Sequence, residues 1–320
     1  MNILLSMPED GQSNAYIINA LQDMGHKVIH IDHRRYFKHC TDIIPRALKQ
    51  ENIELFLVLH LAPHQTYGSD FIRQLKVSFP HVKYASWIFD ATLDGKLIPD
   101  NEQLLEIIKE YDYFFTVCDG QVEELQEKGV NAHWVQEGAS GYAYDLTKGI
   151  EKKIDVSFIG QVGHPKVHTD RVPLIKKIIN KFDNTLVVGP VYTQETDILS
   201  HHLLRPTYND VEHARIVAQS KINLAHSGWG DINHYFSARA YRLMANGGFV
   251  LANHSKGIED IFEVGKEIAT YTDHKDCLEK IKYYLKHEDE REEIAKAGRA
   301  RVLKDYLFNN SLKTILGIIK

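Results

Sequence analysis

The sequence predicts an α/β protein made of two doubly wound, Rossmann-like parallel-sheet domains facing each other across a cleft. Three observations carry this expectation. Short apolar runs alternate with amphipathic stretches over residues 2–135 and again from 154 onward, the pattern of βαβ units. A loop of small and polar residues, Glu137 to Asp145, runs into charged Lys148–Lys153 and separates the two series. The 320 residues, 43% of them hydrophobic, suffice for two cores of about 150 residues each.

In order, Asn2–Met7 predicts a strand. Ser13–Gly25 has helix spacing, with Ser13 as N-cap and Gly25 as C-cap, and Lys27–Asp32 is the next strand. Further strands are expected near Ile53–His60, Val82–Phe89, Tyr113–Cys118 and Ala132–Val135, with helices around Ser69–Phe79, Asn101–Tyr111 and Gly120–Gly129. The second series predicts strands at Ile154–Ile159, Thr185–Val188, Lys221–Ala225, Phe249–Ala252 and Glu267–Tyr271. Its helices are expected at Asp170–Phe182, Asp210–Gln219 and Phe236–Asn246, with another starting over Gly257–Phe262. From Lys275 the chain is charged and helical, with Asp273 as N-cap and a stop at Gly298 before the last helix. The expected domains are therefore 1–150 and 151–302, followed by a terminal helix over 303–320.

Composition narrows the function. No apolar run approaches the ~18 residues of a membrane span, and MNILLSM leads into Pro8-Glu9-Asp10 without a basic leader, so a cytoplasmic protein is expected. Cys40, Cys118 and Cys277 are odd in number and far apart, which argues against a disulfide framework or a cysteine zinc site. Residues 1–150 hold 13 Lys+Arg against 21 Asp+Glu, whereas residues 151–320 hold 25 against 22. A mildly basic second half suits a phosphorylated ligand there and argues against a broad nucleic-acid surface. The exception is the cluster His33-Arg34-Arg35-Tyr36-Phe37-Lys38-His39, which reads either as a solvated loop or as a patch for phosphates.

The most informative segment is Phe236 to Ile261. It reads as helix, Gly247-Gly248 turn, strand, loop and a new helix start. Arg239 is a permanent cation suited to a diphosphate, and the two glycines could let backbone approach a ligand. Alternatively, Asn246-Gly247 is a helix C-cap before an ordinary core strand. Gly160 and Gly163 follow the first strand of the second series, where they form either a second ligand-facing turn or common turn chemistry. Lys166 and Arg171 are further cations downstream.

The pieces Asp155-Val-Ser-Phe-Ile-Gly160 with Arg171, Ser220-Lys-Ile-Asn-Leu-Ala225, Arg239 through Gly248-Phe-Val-Leu, Gly257-Ile-Glu-Asp-Ile-Phe262 and Tyr283-Tyr-Leu through Arg291 to Gly298 occur in an order and spacing that resemble a known group. Residues 154–307 look like the group 1-type C-terminal half of GT-B glycosyltransferases, closest to the CgeB-like, spore-maturation-protein group. In the first half, Trp87-Ile-Phe-Asp90, Tyr111-Asp-Tyr-Phe-Phe-Thr and Gly129-Val-Asn-Ala-His-Trp134 are similar to that group's segments, while residues 1–60 carry only the nucleotide-fold pattern.

The resemblance implies transfer of a sugar from a nucleotide-sugar, with UDP-sugar the first candidate donor, no metal and no separate cofactor. No D-x-D pair occurs. It implies a donor site of Arg239, Gly247, Gly248, Gly257, Glu259, Gly160, Gly163, Lys166 and Arg171. It further implies a C-terminal helix, from Leu303 on, that crosses back onto the first domain. Related families place a ribose-binding glutamate where this chain has Arg242, which cannot accept hydroxyl protons. Either Glu259 or another carboxylate takes that role, or the donor is held differently, or donor binding is lost.

On the acceptor side, Asp90 ends an apolar strand and is the first choice of base, unless it only caps the following turn. His60 ends the preceding strand and is the alternative. Gly11, Gln12 and Ser13, together with Arg34 and Arg35, are expected to line the cleft. His201-His202 and His226 with His234 match no zinc spacing. The acceptor could be a glycan, a small molecule or a hydroxymethylated base in phage-type DNA, and a non-catalytic two-domain nucleotide- or sugar-binding protein is the third reading.

Overall fold

The computed structural model describes residues 1–8, 14–36, 38–60, 62–91, 101–163, 169–189, 203–204 and 210–319. The chain divides into two units, Met1–Glu137 with Phe308–Lys320, and Gly138–Leu307. In the first unit the elements are β1 (Asn2–Ser6), α1 (Asn14–Asp23), β2 (Lys27–Ile31), α2 (Cys40–Gln50), β3 (Leu55–Leu59), α3 (Ala62–Ser78), β4 (Lys83–Ile88), α4 (Asn101–Ile108), β5 (Tyr113–Thr116), α5 (Val122–Glu127) and β6 (Ala132–Trp134). The strands pair in parallel in the order β2-β1-β3-β4-β5-β6. All five residues of β3 are buried, as expected for a parallel strand covered on both faces.

The second unit contains β7 (Ile154–Ile159), α6 (Arg171–Ile179), β8 (Thr185–Val188), β9 (Leu203–Leu204), α7 (Asp210–Gln219), β10 (Ser220–Ala225), α8 (Ala238–Ala245), β11 (Val250–Asn253), α9 (Ile258–Ile261), β12 (Ala269–Tyr271), α10 (His274–Tyr284) and α11 (Glu288–Asp305). Its sheet is parallel in the order β12-β11-β10-β7-β8-β9. Phe158, Ile222, Leu224, Phe249, Leu251 and Tyr271 pack one face against α6, α10 and α11. The other face is covered by α7 and α8 through Val217, Ala240, Tyr241 and Met244. The last helix, α12 (Phe308–Ile318), belongs to the first unit and packs on α1.

Several local expectations differ from the structure. The division falls after Glu137 rather than at 150, because Ala139 bridges Leu307, its N–H donating to Tyr306 O at 2.9 Å, and Tyr142–Thr147 packs on α7 as a 3-10 turn. Helix α2 was not expected, yet its buried stripe Cys40, Ile44, Leu48 holds it together around Pro45. Gly298 does not stop a helix. It lies inside α11, where a Cβ would come 2.2 Å from Glu267 O, so it is the site where α11 passes against the β12 approach. Asp273 does cap α10, its Oδ1 accepting from Lys275 N at 2.7 Å and Asp276 N at 2.9 Å. Among the described residues no helix is long and apolar enough to cross a membrane.

Two glycines in helices provide a test. Gly298→Ala sets a methyl group against backbone that cannot step aside, so the account expects a loss of about 1–3 kcal/mol, seen as a lower urea midpoint. Gly317→Ala on α12 meets open space and should gain about 0.5–1 kcal/mol. Equal effects at the two positions would contradict the packing described.

Candidate functional site

The sheet order of the second unit fixes where a ligand can sit. β7 is followed in sequence by its neighbour β8 on one side, while β10 and then β11 lie on the other. The connections leaving β7 and β10 therefore diverge at their carboxyl ends, the usual ligand position in open α/β sheets. Ile159-Gly160 and Ala225-His226 stand at those ends.

Arg239 and Arg171 both reach this point. Ser237 caps α8, and Arg239, in its first turn, donates Nε to Ile159 O at 2.6 Å and Nη1 to His226 O at 3.1 Å, spanning the two strand ends. Arg171, the first residue of α6 and 2% exposed, donates Nε and Nη2 to the same His226 O at 3.1 and 2.5 Å, and Nη1 to Gln161 O at 2.9 Å. Both guanidiniums lie near the Phe158 ring, with Cζ 5.0 Å (Arg239) and 5.6 Å (Arg171) from its centroid.

Gly160 makes room for this arrangement. At φ +151° its missing Cβ would fall 2.2 Å from Arg239 Nη2. Gly163, at φ +76°, turns the chain three residues on.

Arg171 is buried and Arg239 half-buried, and both are perturbed. Burial pulls the Arg239 guanidinium down to about 10, and burial together with the neighbouring Arg239 charge lowers Arg171 as well. A guanidinium still stays protonated at neutral pH. Among the described residues, every hydrogen bond of the two side chains ends on a backbone carbonyl, and neither has a carboxylate within ion-pair distance. Carbonyls satisfy the donors but leave the net charge uncompensated.

A second layer supports them. His226 is 8% exposed, its Nδ1 is 2.7 Å from Tyr271 Oη, and burial followed by the Arg171 charge holds its imidazole down to about 4. The loop from His226 to Ser237 is stitched to the loop after β11. Ser227 N donates to Asn253 Oδ1 at 2.6 Å, Lys256 N to Gly230 O at 2.8 Å, and His234 N to Lys256 O at 3.0 Å. Gly257, at φ +79°, allows the contact, since a Cβ there would meet His234 Cδ2 at 2.4 Å.

Not every expected residue joins the cluster. Gly247 and Gly248, expected beside the donor, lie at the far end of α8 from Arg239, before β11 rather than beyond its carboxyl end. Their N–H groups donate to Met244 O and Leu243 O at 2.9 Å each, a helix C-cap, and their Cα positions are closed off by Tyr144 and by Asn223 and Val217. Glu259 Oε1 is 2.8 Å from His254 Nε2, a bond that lowers its carboxyl, and the side chain is exposed. Arg242 sits one turn along α8 from Arg239, and its charge, after burial, helps push His213 down to about 3. Lys166, Gly11, Gln12 and Ser13 lie outside the described residues.

In the first unit, His60 and Asp90 stand at the carboxyl ends of adjacent strands β3 and β4. His60 has φ +71°, donates its N–H to Trp87 O at 3.1 Å and sets its ring edge-on to Phe89 at 4.7 Å, next to Asp90. Arg34 and Arg35 are exposed, their N–H groups held by Asp32 Oδ1 at 2.8 and 3.1 Å. Sequence reasoning missed the buried group around Ser6 Oγ, which lies 2.6 Å from Tyr67 Oη and 3.3 Å from His33 Nδ1. It also gave His226 no role. The available signal was its position directly after an apolar strand, as for His60.

The buried imidazoles make an acid prediction. His213 and His226 titrate at about 3 and about 4 in the folded protein against 6.5 otherwise. The unfolded chain therefore binds protons first, and the stability present above pH 6.5 is lost as pH falls through the window toward 4. Each group contributes a slope of about 1.4 kcal/mol per pH unit. Chemical denaturation between pH 6.5 and 5 should show it, and a flat profile would contradict these burials.

A family model described as glycosyl transferase-like matches residues 171–317, which include Arg171 and Arg239. No curated protein matches the chain. Among solved structures, it is similar to sucrose-phosphate synthase from Thermosynechococcus elongatus, at 12% identity and a TM-score of 0.72, covering 100% of this chain and 99% of that one. It is also similar to Anabaena Alr3699/HepE in complex with UDP (10% identity, TM-score 0.67, coverage 100% and 99%). The third is the E. coli trehalose-6-phosphate protein bound with UDP-2-fluoro glucose (8% identity, TM-score 0.67, coverage 100% and 99%). The two parallel-sheet units of this chain have the fold of GT-B glycosyltransferases.

Proposed function

We propose that the chain is a glycosyltransferase that uses a nucleoside-diphosphate sugar, its diphosphate held by Arg239 and Arg171 of the second unit. One observation carries the reading: the buried guanidinium of Arg171 and the half-buried one of Arg239 converge on the strand ends at the switch point of a parallel sheet without a carboxylate to neutralise them among the described residues. A diphosphate supplies the missing negative charge.

The chemistry follows from where charge develops. As the sugar leaves, the departing phosphate gains negative charge, and fixed cations already aimed at it stabilise that state more than the ground state. Arg239 Nη2 has no acceptor among the described residues and lies over Gly160, where backbone can approach closely. The two arginines supply positive charge of the kind a divalent ion gives in other transferases, so the proposed reaction is metal-independent.

UDP is the first candidate nucleotide, since two similar structures hold UDP or a UDP-sugar. The CgeB-like resemblance of the segments around Gly160, Arg239 and Gly257 supports the same class. For the ribose, Arg242 cannot accept hydroxyl protons, and Glu259, exposed on α9, is the proposed carboxylate. Asp90 is the proposed base for the acceptor hydroxyl, with His60 beside it as the alternative.

Calorimetric titration with UDP-, GDP- and TDP-sugars tests donor binding. Arg239→Ala should lower donor affinity at least about tenfold, about 1.4 kcal/mol, and turnover with it. Arg239→Lys should not restore either, because a point charge cannot span Ile159 O and His226 O. Asp90→Asn should depress turnover while donor affinity is largely kept. Normal turnover in both Arg239→Ala and Asp90→Asn means the site is assigned wrongly.

A further inference from the structure

His226 gives its carbonyl to both guanidiniums, and its ring closes a chain of titratable groups on the other side. Nδ1 is 2.7 Å from Tyr271 Oη, and Nε2 is 4.0 Å from Asp170 Oδ2. The same Asp170 oxygen is 2.9 Å from His274 Nε2, and Lys177 Nζ lies 3.0 Å from His274 Nδ1. The groups that set the charge on His226 are Arg171 on α6, Arg239 on α8 and His274 on α10, which oppose a proton, and Asp170, which favours one.

An imidazolium has two N–H donors to place, whereas a neutral ring has one. Here the Tyr271 oxygen stands at one nitrogen and a carboxylate at the other, so the surroundings could hold the charged form. Burial and the Arg171 charge nonetheless keep the ring neutral, at about 4.

We propose that His226 takes up one proton from solvent when a diphosphate ester binds at Arg171 and Arg239, and so becomes the third positive group of that site, its N–H donors directed to Tyr271 Oη and Asp170 Oδ2. The inference rests on the diphosphate reading above. Negative charge placed beside the guanidiniums offsets their share of what holds the proton off, while burial, the larger cause, remains. One unit charge at about 6 Å moves a pKa by about two units at an effective dielectric of about 20. The ring then titrates near neutrality, and donor binding strengthens as the pH falls. His226 is on this view a positioning residue for the anion, acting through charge.

The probe must not titrate itself. A nucleotide-sugar meets this need, whereas a terminal phosphate changes charge near about pH 6. Titration calorimetry of the full chain with UDP-glucose, GDP-mannose and TDP-glucose at pH 6.5, in buffers of different ionisation enthalpy, counts the protons taken up. The expected result is uptake of about 0.2 proton and affinity rising about twofold from pH 8 to 6. Uptake should vanish in His226→Gln and persist in His274→Asn. Asp170→Asn, at an exposed carboxylate, should reduce it and serves if His226→Gln does not fold. Binding without uptake, or uptake that follows His274 instead of His226, overturns the proposal and leaves the diphosphate reading standing. Failure of all three sugars to bind overturns both.

Discussion

Positive charge with no carboxylate beside it among the described residues, at the strand-switch point of the second sheet, is the constraint on which the rest of the site depends. Two guanidiniums share one carbonyl, that of His226, and sit near the same phenyl ring, Phe158. Like charges at such a distance repel, and burial strips them of water. Five hydrogen bonds to backbone oxygens recover part of that free energy. The proposed diphosphate would supply the charge that these carbonyl bonds do not.

The neighbouring backbone is shaped around those side chains. Gly160 leaves the space that Arg239 Nη2 fills, and Gly189, at φ +152°, lets the next strand's end close over Gly160 O. Gly230 and Gly257 allow the loops after β10 and β11 to bond to each other, which fixes the carbonyl of His226 from the far side. The glycines thus position an arginine and a loop, and a larger residue at Gly160 would displace the cation before it touched any ligand.

The parallel sheets and most helices were legible because fully buried strands read as continuous apolar runs and their helices as amphipathic stretches, as in Leu55–Leu59. Arg239 was legible as a cation on a helix start. What misled was adjacency in sequence. Arg239 and Gly247 lie at opposite ends of α8, about 12 Å apart at 1.5 Å per residue, so a helix that unites them on paper separates them in space. Arg171 was identified only as an extra cation, since nothing local shows that the first turn of α6 meets the end of β10. Helix α2 was hidden by Pro45, which sits in the middle of the helix, where the buried stripe of Cys40, Ile44 and Leu48 prevails over it. Gly298 has the composition of a stop but is required by close packing against Glu267 O. The buried roles of His226 and Tyr271 depend on contacts between elements distant in sequence, and no periodicity encodes them.

A crystal structure of the full chain with UDP bound tests the central claim most directly. The account predicts phosphate oxygens within hydrogen-bonding distance of Arg239 Nη2, beside Gly160 and the carboxyl ends of β7 and β10. Diphosphate density lodged elsewhere, such as at the Gly247–Gly248 turn, with Arg239 and Arg171 still bonded only to carbonyls, would contradict it.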